Sequence, residues 1–183
     1  SAQFKKNYIE LKKQFSEIYP HFNIAYSYKT NYVPKLCKIV NDFGGYAEVV
    51  SEMEVELALR VGVSPEQIIW NGPIKNTEYL EKMLLKGTTI NIDSIEECYL
   101  IKDLAEKYPD NMLNVGIRCN FDVQDGVISR FGLDIEGDDF KKVFEIIEKT
   151  PNLKLINLQC HFAKRQVDYW PARAKRMIEL IEK

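Results

Sequence analysis

The sequence predicts an α/β fold: a (β/α)8 barrel of the TIM type, incomplete, with about six of its eight strand–helix units. Three observations predict it. Short apolar stretches and amphipathic helices alternate six times at regular intervals, the pattern of a parallel sheet with helical crossovers. Polar or ionisable residues fall at or just after the C-terminal end of most strands: Lys29, Ser51, Asn71, Asp93, Arg118 and His161. That is the face where barrel enzymes keep their chemistry. No Gly-x-Gly-x-x-Gly follows any strand, which weakens the rival reading, an open doubly wound sheet that binds a dinucleotide. A full barrel takes about 250 residues and this chain has 183, so the chain is expected to be a piece of one, made by cloning or by proteolysis.

The elements follow in order. Residues 4–18 form a first helix, with Tyr8, Leu11, Phe15 and Ile18 at helical spacing and Pro20 as its stop. Residues 24–31 read as a short buried strand that delivers Lys29 to its C-terminal end. Ala25, Ser27 and Lys29 fall on one side of it, and Ile24, Tyr26 and Tyr28 on the other. Burial disfavours a charged ammonium, and a neutral amine is what a Schiff base with a carbonyl needs. The competing reading is a strand-end lysine whose stem reaches solvent.

Residues 34–43 make the next helix, with Pro34 in its first turn and Gly44-Gly45 as its end. A second strand spans 46–50, and Ser51 caps a helix that Gly62 closes. Residues 67–70 form the third strand, Asn71-Gly72-Pro73 a turn, and Thr77 caps a helix ended by Gly87. Residues 88–92 are strand four. Ser94 and Glu97 look like a capping box for a helix to about residue 108. Strand five spans 114–119, a polar loop 120–137, a helix 139–149 and strand six 153–160. The partner helix of that strand starts near Pro171.

Composition narrows the function. A net charge of −2 gives no electrostatic case for nucleic acid. No apolar run approaches the roughly 20 residues that span a bilayer, and the N-terminus lacks the apolar stretch of a signal peptide. Cys37, Cys98, Cys119 and Cys160 are far apart and form no C-x-x-C. They read as buried, reduced thiols of a cytoplasmic protein, with no metal site implied.

Six blocks then match a known group. They are Ala25-Tyr26-Ser27-Tyr28-Lys29-Thr30-Asn31; Gly45-Tyr46-Ala47-Glu48-Val49-Val50-Ser51-Glu52-Met53-Glu54; and Ile68-Ile69-Trp70-Asn71-Gly72-Pro73-Ile74-Lys75. Ile90-Asn91-Ile92-Asp93-Ser94 follows. Next come Val115-Gly116-Ile117-Arg118 with Ser129-Arg130-Phe131-Gly132-Leu133, and last Leu158-Gln159-Cys160-His161-Phe162. In this order and spacing the chain resembles the fold type III pyridoxal-phosphate-dependent decarboxylases, the group that includes diaminopimelate and ornithine decarboxylases and shares its barrel with alanine racemase.

The resemblance implies roles. Lys29 forms the internal aldimine with pyridoxal 5′-phosphate. His161 stacks on the pyridine ring, Arg118 sits near the phenolic oxygen, and Glu48 lies near the lysine with Glu54 supporting from the helix. Ala163-Lys164-Arg165 replaces the Gly-Ser pair that follows the family's histidine, so the phosphate contact departs from the pattern there. The whole chain is then a partial cofactor-binding barrel domain. The family's phosphate loop and its C-terminal β domain, with the substrate-choosing residues, fall outside it.

The implied activity is decarboxylation of a basic or diamino acid, of the diaminopimelate, ornithine, lysine or carboxylated-polyamine type, by a homodimer. The 183 residues alone are expected to be inactive. Two other classes stay open: a racemase or cofactor carrier on a related barrel, and a non-catalytic truncated barrel. Taken singly, His161 reads as a strand-end histidine, Arg118 as an ion-pair partner, and Glu48 as a carboxylate bonded to a neighbour. Lys75, Asp93 and Ser94 read as turn and cap residues, and Phe131-Gly132 as a loop former.

Overall fold

In the computed structural model, residues 2–122, 129–162 and 166–182 are described. The chain folds as two compact units, Ser1–Ile90 and Asn91–Lys183.

In the first unit the order is α1 (Ala2–Ser16), β1 (Ala25–Ser27), α2 (Pro34–Asp42), β2 (Tyr46–Val49), α3 (Glu52–Arg60), β3 (Ile68–Trp70), α4 (Thr77–Leu84) and the start of β4 (Thr89–Ile92). Its strands lie side by side in chain order and all pair in parallel: Ser27 opposite Glu48, Glu48 opposite Ile69, Trp70 opposite Ile90. Parallel neighbours need crossover helices, and the sequence supplies their caps. Ser51 accepts from the Glu54 N–H at the start of α3. At α4 the cap is Asn76, which accepts from the Tyr79 N–H, rather than Thr77. An amide side chain one residue earlier already satisfies that first turn. The core packs Val49, Val55, Ile68, Trp70, Leu80 and Met83, all fully buried.

The second unit holds the end of β4, α5 (Ile95–Lys107), β5 (Leu113–Asn120), β6 (Leu133–Asp134), α6 (Asp138–Lys149), β7 (Leu153–Cys160) and α7 (Trp170–Ile181). β5 is buried on both faces from Val115 to Cys119, as a parallel strand covered by helices should be. It pairs in parallel with β7, with a register shift between Val115 and Gly116, and with the short β6 at its C-terminal end. Strand β6 lies inside the stretch expected to be loop. Its pairing is with Cys119 and Asn120, a tertiary contact that two residues of local sequence do not announce.

The α/β class and the six expected strands stand. The capping box at α5 is displaced by one residue. Ser94 accepts from the Glu97 N–H, but the Glu97 carboxylate accepts from the Asp93 N–H instead of the cap's own. Glu54 does the same with the Val50 N–H at α3. Three cysteines are buried and free, and Cys160 is half-buried. No described helix is long and apolar enough to cross a membrane.

Candidate active site

The largest difference from the sequence reading concerns Lys29. β1 ends at Ser27, and Tyr28–Thr30 form one turn of 3-10 helix. Thr30 Oγ1 closes that turn by donating to the Ser27 carbonyl at 2.7 Å. The turn breaks the strand alternation, so Tyr28 takes the buried place at 1% exposure, and Lys29 is exposed. Lys29 is therefore accessible rather than buried.

The same unit holds Glu48 and Glu54. Glu48, half-buried on β2, accepts from Asn71 Nδ2 at 2.8 Å. Glu54, buried at the start of α3, accepts from the Val50 N–H at 2.7 Å. Burial pushes the Glu54 carboxyl above the ordinary carboxylate value. The Val50 N–H pulls it back down, the Glu48 charge pushes it up again, and the Lys29 ammonium lowers it. Glu54 thus interacts with both Glu48 and Lys29 at the strand ends of the first unit.

A measurable consequence follows from the sign of that shift. A carboxyl raised on folding holds its proton more tightly in the folded chain than in the unfolded one. Stability therefore falls as pH rises from the unfolded value, about 4.3, through the raised folded value. Glu54→Gln keeps an oxygen for the Val50 N–H and removes the titration. It is expected to flatten that fall in a series of urea midpoints against pH, and an unchanged slope would clear Glu54 of it.

In the second unit, Arg118 on β5 is only 7% exposed and pairs with Asp93 at 2.7 Å. Asp93 also accepts from the Gly132 N–H at 3.0 Å. The guanidinium lies 5.0 Å from the Phe131 ring centre. Gly132 has φ of 82°, and a Cβ there would come within 2.7 Å of the Arg118 carbonyl. So Phe131 and Gly132 form the close wrap over Arg118, and Asp93 ties the two together. Asp93 is more than the turn residue expected of it. Its signal was the pairing of an acid after β4 with a cation at the end of β5.

His161 follows β7 and is exposed. It shares the lining of a pocket of about 450 Å3 with Cys160, Phe162, Trp170, Arg173 and Met177. Arg173 lies 4.8 Å from the Phe162 ring centre. The side-chain atoms buried without a hydrogen-bond partner among the described residues include Ser27 Oγ, two residues before Lys29, and Gln159 Oε1, two before His161. Sequence reasoning missed both, because an unmet acceptor shows only once the packing is known. Ala163-Lys164-Arg165 lies outside the described residues.

Comparison with known proteins fits these features. The family described as pyridoxal-dependent decarboxylase, pyridoxal binding domain, matches residues 2–171. The diaminopimelate decarboxylase of Aquifex aeolicus is 27% identical over 192 residues, covering 98% of this chain and 45% of that protein. The ornithine decarboxylase of Schizosaccharomyces pombe is 27% identical over 153 residues, covering 81% of this chain and 34% of its own length. Among solved structures, diaminopimelate decarboxylase from M. jannaschii in complex with L-lysine superposes with a TM-score of 0.83 at 26% identity, over 99% of this chain and 46% of that one. That likeness carries the partial-barrel reading. This chain spans less than half the length of each of these proteins.

Proposed function

Since the chain belongs to the pyridoxal-dependent decarboxylases through their pyridoxal-binding domain, we propose that the whole protein removes the α-carboxylate of a basic or diamino acid as carbon dioxide, with Lys29 as the amine that holds the cofactor. The observation that carries this is the placement of an accessible lysine just after β1, its charge acting on the buried Glu54 carboxyl as that of Glu48 does. The substrate class is supported by the diaminopimelate and ornithine decarboxylases that the chain resembles, and by the L-lysine complex.

The residues present fit pyridoxal phosphate. Its carbonyl needs an amine, which Lys29 offers. The buried Ser27 hydroxyl, a donor and acceptor without a partner, and the unmet acceptor Gln159 Oε1 are places where a bound polar group is expected. When bound, the cofactor supplies an electron sink for the pair left at the substrate α-carbon. Arg118 would serve as a fixed cation, since Asp93 and Phe131 leave its guanidinium little freedom. The imidazole of His161 would provide a flat face that orients a heteroaromatic ring. Glu54, whose carboxyl feels the charges of both Lys29 and Glu48, would lie near that amine.

We extend the proposal to a cytoplasmic homodimer, on the resemblance to the family. The role of Lys29 is tested by reduction with borohydride after incubation of the whole protein with pyridoxal phosphate, then digestion and mass analysis. A single labelled peptide containing Lys29 is expected, together with carbon dioxide release from a basic amino acid. Label spread over surface lysines with none favoured would overturn the reading.

A further inference from the structure

Of the four cysteines, two are strand partners. Cys119, near the end of β5, stands directly opposite Cys160, the last residue of β7, in the parallel ladder. Neighbouring strands lie about 4.8 Å apart, and residues paired across them point to the same face. A disulfide spans Cα atoms about 4.4–6.8 Å apart. The ladder therefore holds these two cysteines at bridging distance with both side chains on one side of the sheet. The other two cysteines stand elsewhere. Cys37 bonds with the Tyr28 hydroxyl in the first unit, and Cys98 is fully buried on α5.

The paired thiols are not equivalent. Cys119 is 2% exposed, and burial, with Cys160 beside it, pushes its thiol up to about 12. Cys160 is half-buried and lines the pocket of about 450 Å3 between β7 and α7. There the Arg173 charge opposes the rise that burial causes. Attack on a disulfide needs access and a thiolate, and Cys160 is the better placed on both counts.

We propose that Cys119 and Cys160 form a reversible dithiol–disulfide site that reacts with low-molecular-weight disulfides entering that pocket. Cys160 loses its proton and bonds to one sulfur of the small disulfide, whose S–S bond breaks and releases one small thiol. Cys119 then gives up its proton, bonds to the Cys160 sulfur and releases the second small thiol. The two cysteines are oxidised to one disulfide and the reagent is reduced to two thiols. The site does not depend on the decarboxylase reading. Its place gives it a bearing on that reading, because Cys119 directly follows Arg118 and Cys160 directly precedes His161, so the bond joins the two strand ends that carry them.

The test incubates the whole reduced protein with hydroxyethyl disulfide, quenches with acid, and alkylates the remaining thiols with iodoacetamide in denaturant. Digestion without reduction and mass spectrometry then read each cysteine. Cys119 and Cys160 are expected to lose alkylation together, to appear as one cross-linked peptide pair, and to regain it with dithiothreitol, while Cys37 and Cys98 stay fully alkylated. In Cys119→Ala the reaction is expected to stop at a hydroxyethyl mixed disulfide on Cys160, and in Cys160→Ala Cys119 is expected to stay reduced. The wild-type readout stands without either variant. A mixed disulfide that persists on Cys160 in the wild type, a cross-link to any other cysteine, or full alkylation of both residues would overturn the proposal.

Discussion

Asp93→Ala is expected to destabilise the protein by about 3–5 kcal/mol, the usual result of leaving one partner of a buried ion pair uncompensated. Both side chains are 8% exposed at a separation of 2.7 Å, so the Arg118 charge would have little water to turn to. The loss goes beyond the pair, because the other Asp93 oxygen accepts from the Gly132 N–H. Removing it frees the turn that Phe131 and Gly132 wrap over Arg118. Urea unfolding of the whole protein measures the cost. The double variant Asp93→Leu with Arg118→Met is expected to recover a good part of it, since apolar groups of similar volume replace buried ion pairs at little cost. Its function would still be lost, because the proposed cation is gone. If Asp93→Ala unfolded within about 1 kcal/mol of the wild type, the pair would be behaving as an exposed one and could not be what fixes Arg118.

Much of the fold was legible because several helices carry their own punctuation. Ser51, Ser94 and the glycines after α2, α3 and α4 mark ends by local chemistry that tertiary packing does not override. The lysine was misread for the opposite reason. Strand alternation was carried two residues past Ser27, where the hydroxyl of Thr30 folds the chain into a tight turn and hands the buried position to Tyr28. β6 was invisible because a two-residue strand is defined by its partner. Among candidate residues, Lys29, Arg118 and His161 were proposed by type and by their place at or just after strand ends, and Glu48 by the resemblance. Asn71 and Asp93 stood in the same row of polar strand-end residues and were read as turn formers. What separates a turn former from a side chain that holds a carboxylate or a guanidinium is the pairing across strands, and one strand's sequence does not contain it.

The second large effect is expected at Gly116. A Cβ placed there would lie 1.9 Å from Asn91 Oδ1, and 2.9 Å from both the Asn157 Cβ and the Asn157 carbonyl. Asn91 Oδ1 is the acceptor for Asn157 Nδ2 at 2.8 Å, and Asn91 is fully buried. One of the three obstacles is backbone and the other two belong to a bonded amide pair, so no flexible end can simply swing away. A methyl group must either displace the Asn91 amide and strand the Asn157 donor, or push β7 off β5 beside a register shift that already exists. Overpacking and an unmet buried amide each cost about 1–3 kcal/mol, so Gly116→Ala is expected to cost about 2–5 kcal/mol by urea unfolding. Gly44→Ala is the control. That glycine has φ of 73° but nothing within 4 Å of the added Cβ, so only backbone strain of about 1 kcal/mol applies. Making room with Asn91→Ser in the Gly116→Ala chain should return part of the loss. If the two glycine variants cost the same, crowding against the amide pair is not what keeps residue 116 a glycine. If Asn91→Ser deepens the loss in the Gly116→Ala chain, the strain lies in the β5 backbone instead.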